Sequence, residues 1–83
     1  MTKAEKNRRA DLDTIGLLLP ALTKKVGKKF VLEGPTPGGQ YGIMLDERSL
    51  TLSMEPRDLR IYLMGMAKLF CVTHGINSIL DFV

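Results

Sequence analysis

Residues 41–54 read YGIMLDERSLTLSM. Tyr41, Ile43 and Leu45 alternate with Gly42 and Met44, and Leu50, Leu52 and Met54 alternate with Ser49, Thr51 and Ser53. Alternation with period two is the pattern of a strand that buries one face. The intervening DERS is short enough for a hairpin turn, so the stretch predicts two antiparallel strands.

Upstream, KFVLEG predicts another strand, and GPTPGG follows it. Two prolines and three glycines do not fit inside a ladder, so this segment is an exposed connection and the three strands form an antiparallel meander. Further upstream, Leu12, Ile15, Leu19, Leu22 and Val26 recur at spacings of three and four, one stripe of a helix. Pro20 interrupts that helix and crowds the carbonyl of Gly16, but the spacing stays in phase on both sides, which predicts a kinked helix stopping at Gly27. TKAEKNRR has no apolar stripe, so residues 1–10 are expected as a basic arm.

Downstream, Ser53 or Glu55 caps a second helix with Pro56 and Asp58 in its first turn, and Gly75 ends it with Ile76 folding back onto the last turn. The expected fold is therefore α+β, in the order helix, three strands, helix (αβββα), with both helices on one sheet face in two layers. It occupies residues 11–76, and residues 77–83 form an apolar tail.

Residues 59–72 of that second helix, LRIYLMGMAKLFCV, carry two charges in fourteen residues. A helical projection sets Leu59, Tyr62, Leu63, Met66, Leu69, Phe70 and Thr73 on a face for the sheet. Ile61, Met64, Gly65, Cys71 and Val72 remain on the back, solvated only by Arg60 and Lys68. Either the first helix covers this back, or another molecule does. A chain of eighty-three residues buries only roughly 60–65% of its unfolded surface, which makes a homodimer a natural supplement. The expected contact stripe is Ile61, Gly65, Lys68 and Val72, with Phe82 and Val83 as anchors in a tail where Ile79 and Leu80 also need cover.

The net charge of +3 is uneven. Through Lys29 there are eight basic residues against three acids, and beyond it four against six. Lys24, Lys25, Lys28 and Lys29 either complement the dipole at the end of the first helix or contact nucleic acid.

Catalytic constellations are not found. Cys71 and His74 are three apart, but two ligands do not make a zinc site, and spacing alone does not activate a thiol. EGPTPGGQYG lacks the lysine and hydroxyl residue of a phosphate loop and joins two strands. Turn and capping duties account for Asp46, Glu47, Glu55 and Asp58. We expect no enzyme activity, cofactor, metal or small-molecule ligand. One cysteine excludes an internal disulfide, TIGLLLPAL lacks the flanks of a signal peptide, and no run is long enough for a membrane span, so a cytoplasmic protein is expected.

With EGP after the first strand, the αβββα order resembles the double-stranded RNA-binding domain, whose corresponding loop carries a Gly-Pro pair and reaches a minor groove. The resemblance implies a nucleic-acid-binding module. That family also carries a lysine cluster at the start of its second helix, where this chain has EPRDLR, and a loop histidine, where this chain has Thr36 or Pro37. YGIML and MEPRDLRIYLMGMAKLF, with Leu59, Tyr62, Leu63 and Gly65, are similar to small proteins encoded by bacteriophages and prophages. This second resemblance implies a small accessory protein that binds itself or another host or phage protein.

Overall fold

The computed structural model describes residues 2–78 and Phe82. Its elements are α1 (Lys3–Val26), β1 (Phe30–Glu33), β2 (Gly42–Leu45), β3 (Arg48–Ser49) and α2 (Pro56–Thr73), with the strands in an antiparallel sheet of order β1-β2-β3. The chain is an α+β fold of αβββα order.

Thr2 opens α1, its hydroxyl accepting from the Glu5 N–H at 3.2 Å. Residues 3–10, expected as an arm, are instead the first turns of this helix. The helix continues through Pro20 and stops at Gly27, whose φ of 79° is the left-handed stop that glycine adopts without penalty. Ile15, Leu18, Leu19 and Leu22 are buried, whereas Val26 at the end of the stripe is exposed.

The β2–β3 turn is tighter than DERS. It consists of Asp46 and Glu47 alone, with φ of 48° and 70°, positive at both central positions as a type I′ hairpin requires. Asp46 anchors it to the segment after α1, its N–H donating to the Lys29 carbonyl at 3.0 Å and its Oδ1 accepting from the Lys29 N–H at 2.9 Å.

The third strand is shorter than its alternation predicts. The Leu50 N–H donates to the Ile43 carbonyl at 2.8 Å, but the Ile43 N–H donates to Thr51 Oγ1 at 3.0 Å, where a regular ladder would offer a backbone carbonyl. The chain then leaves the sheet and returns at a single bridge between Tyr41 and Met54. The β2–β3 register would set Tyr41 opposite Leu52, so the excursion is a bulge of two residues. Leu52, expected on the buried face, is 86% exposed.

Glu55 precedes α2 and Pro56 opens it. His74 closes it, Gly75 is left-handed at φ 70°, and the Ile76 N–H donates back to the Cys71 carbonyl at 2.8 Å, closing the end as expected. Its buried residues are Pro56, Leu59, Leu63, Ala67 and Cys71. The inward face is therefore rotated toward Ala67 and Cys71, and Tyr62, Leu69 and Thr73, expected to face the sheet, are exposed. The physical reason is the neighbour. α2 lies against α1, with Arg60 on Asp11 and Met66 and Phe70 sharing a groove with Leu22 and Val26, whereas the projection placed the helix against a sheet alone.

The helices run parallel. Asp11 of α1 pairs with Arg60 of α2 at 2.6 Å, while Leu22 and Val26 share a groove with Met66, Phe70 and His74. One core unites Ile15, Leu18, Leu19, Leu22, Phe30, Ile43, Leu59, Leu63, Ala67 and Cys71. Phe82 joins it, 2% exposed and edge-on to Phe70 with ring centres 5.7 Å apart. Phe82 thus packs within its own subunit and is not an exposed anchor, because the ring of Phe70 offers it an aromatic edge contact. Val83, Ile79 and Leu80 lie outside the described residues.

Candidate functional site

Parallel packing gathers three segments at one end of the molecule: the first turns of α1, the loop between β1 and β2, and the start of α2. The loop is internally braced. The Thr36 N–H donates to the Gln40 carbonyl at 2.9 Å, the Thr36 carbonyl accepts from Gly39 at 2.8 Å, and Thr36 Oγ1 accepts from the Gln40 N–H at 3.1 Å. Gly34 at φ 124° and Gly39 at φ 77° supply conformations that other residues rarely adopt.

Arg8 ties the three segments together. Its guanidinium donates to the Gly39 carbonyl and lies 3.9 Å from the Glu55 carboxylate. Asn7, Ala10, Asp11, Arg57 and Arg60 line a cleft of about 310 Å³ between the helices just beside it. Lys3, Lys6, Arg9 and Arg57 are exposed at the same end, while Arg8 and Arg60 engage Glu55 and Asp11. The N-termini of both helices point here, so their dipoles add positive potential.

Lys24, Lys25, Lys28 and Lys29 stand at the opposite end of α1. Lys28 Nζ is 3.6 Å from the Asp46 carboxylate, and all four lysines are exposed. No lysine or arginine lies between Ala10 and Thr23. The cations of α1 and its exit thus form two groups, about 30 Å apart along a helix axis that rises 1.5 Å per residue.

A different surface runs along the outer side of α2. Ile61, Gly65, Lys68 and Val72 are all exposed there, and a Cβ built on Gly65 would meet nothing within 4 Å. The first helix therefore does not cover this side. Ile61 is 51% exposed, Tyr62 40%, Leu69 68% and Val72 79%. Beside Leu69 an apolar groove of about 250 Å³ opens between the C-terminal ends of the helices.

The structure separates Cys71 from His74. Cys71 is buried in the core, whereas the His74 ring is exposed and stacks on Phe70 with centres 3.9 Å apart. Among the described residues no group of three or more His, Cys, Asp and Glu side chains is placed to hold a metal ion, and no helix is long and apolar enough to cross a membrane.

Sequence reasoning missed Arg8, because no local pattern marks a side chain that bridges to residues thirty-one and forty-seven positions away. Tyr62 and Leu69 were placed on the wrong face. The signal that would have found them is the spacing of Leu59, Leu63, Ala67 and Cys71, four residues apart along the side that is buried. No family model matches the chain, and no curated protein or solved structure matches it.

Proposed function

We propose that this chain is a nucleic-acid-binding module of the double-stranded RNA-binding type. The observation that carries the reading is the convergence, within an αβββα fold, of the Gly34-Pro35 loop and the start of α2, joined through Arg8 beside the basic first turns of α1. In the family it resembles, that loop reaches a minor groove, and duplex RNA is read by shape across successive grooves more than by base sequence. The two separated groups of cations suit such a ligand, since phosphates of one duplex can be met at two places along α1.

The test is fluorescence anisotropy with a labelled random-sequence RNA duplex at low salt. The wild-type chain binds it, and replacing Lys24, Lys25, Lys28 and Lys29 by glutamine weakens that binding about tenfold or more. A wild-type chain that leaves the duplex free rules the reading out.

A second reading is favoured by the outer side of α2. Exposed apolar side chains in one stripe mark an interaction surface, and they support a small non-catalytic accessory protein of the phage type that works by protein contact.

A further inference from the structure

The outer face of the sheet, turned away from both helices, carries a cup. Phe30, Leu32 and Ile43 pack on the core, so Val31, Glu33, Gly42 and Met44, which alternate with them, take the outer face. Gly42 is the floor. A Cβ built there would lie 3.5 Å from the Thr51 carbonyl oxygen and 3.7 Å from that of Leu52, so the bulge stands over the glycine on one side. Glu33, its pairing partner, lies on the other side and leads into the Gly34-Pro35 loop, and the cup so enclosed measures about 460 Å³.

The chemistry of this cup is one-sided. Its polar side chains are one carboxylate and four hydroxyls, those of Glu33, Thr36, Ser49, Thr51 and Ser53. No lysine or arginine lines it, so a phosphate would meet a carboxylate and no cation. Hydrogen-bond acceptors, by contrast, are open. Among the described residues the Glu33 carboxylate has no ion pair, and the Leu52 carbonyl, released from the ladder by the bulge, accepts no backbone hydrogen bond. The Thr51 carbonyl accepts from Ser49 Oγ at 2.9 Å and keeps a second lone pair. Leu52, which a regular strand would have turned to the core, is 86% exposed at the rim and faces the loop that holds Pro35.

A carboxylate and carbonyls beneath an apolar rim match a cation carried on a hydrocarbon stem. Calcium matches less well, because it gathers roughly six to eight oxygen ligands and the cup has a single carboxylate. A guanidinium matches better than an ammonium, since its planar fan of donors reaches acceptors on both sides of Gly42 and it is the more weakly hydrated of the two. We propose that the cup receives an arginine side chain presented by a partner polypeptide, with the guanidinium between the Glu33 carboxylate and the Leu52 carbonyl and the stem along Leu52 and Pro35. An arginine within a chain is the fitting source, because free arginine would bring its own carboxylate toward Glu33. The site stands apart from duplex binding and from the outer side of α2.

The experiment is amide NMR of the isotope-labelled chain, titrated with the peptide acetyl-Gly-Ala-Arg-Ala-Gly-amide and with its citrulline counterpart, whose side chain keeps the shape and loses the charge. The arginine peptide is expected to shift the Gly42, Thr51 and Leu52 amides along a saturating curve with a millimolar Kd, and the citrulline peptide to bind about fivefold more weakly or worse. Glu33→Gln and Leu52→Ser both alter exposed side chains, so the fold is kept. They are expected to weaken the arginine peptide about fivefold and about threefold. Equal shifts from the two peptides overturn the role of the cation, and shifts that Glu33→Gln leaves unchanged overturn the cup as the site. Free arginine binding as tightly as the peptide overturns the polypeptide source. A spectrum unmoved by about 10 mM arginine peptide, where a millimolar Kd would bring it near saturation, overturns the proposal as a whole.

Discussion

Thr51 decides how the sheet ends. Its hydroxyl occupies the acceptor position that a ladder would fill with a backbone carbonyl, which is the competition that short hydroxyl side chains offer to regular structure. Alternation of apolar and polar residues cannot reveal this, because serine and threonine alternate with leucine equally well in a strand and in a bulge. Replacing Thr51 by valine keeps the shape and removes the acceptor, leaving the Ile43 N–H without its partner. Thr51→Val is expected to cost about 1–2 kcal/mol in urea unfolding and to speed hydrogen exchange at the Ile43 amide. An Ile43 amide protected to the wild-type degree would mean that Leu50 replaces the hydroxyl and β3 extends.

The elements were legible to different degrees for physical reasons. α1 was readable because Ile15, Leu19 and Leu22 face one core and Gly27 ends the helix in the one conformation that glycine favours. α2 was readable in extent, from Pro56 to Gly75, but not in orientation, because apolar residues surround it and the projection has no polar side to fix its face. Gly27 and Gly65 separate backbone strain from helix propensity. Gly27→Ala places a side chain at φ 79° with free space around it, so it is expected to destabilise by about 1–2 kcal/mol. Gly65→Ala also meets free space but within regular helix, so it is expected to stabilise the monomer by about 1 kcal/mol. Thermal unfolding at low protein concentration reads both signs, and a destabilised Gly65→Ala monomer would show that the subunit itself needs this glycine.

At the scale of the whole molecule, parallel helices decide which surfaces exist. Because Asp11 meets Arg60 and Leu22 shares a groove with Met66, the starts of α1 and α2 share one end with the β1–β2 loop, and the lysines after α1 are left at the other. The αβββα order could be read from the sequence. The convergence could not, since it depends on how two helices lie against each other and on Arg8 reaching across three segments. Lys24, Lys25, Lys28 and Lys29 were visible as a basic run, but their distance from the loop and from Arg57 was not. A bound duplex therefore touches two places on α1, and the number of phosphates engaged is what a salt titration reports. The most direct measurement is the affinity for a random-sequence RNA duplex as a function of salt concentration. We predict a logarithmic slope of about −3 or steeper, as several phosphate contacts demand, reduced by neutralising the basic residues at either end of α1 alone. A slope near zero, or the absence of binding at low salt, would contradict it.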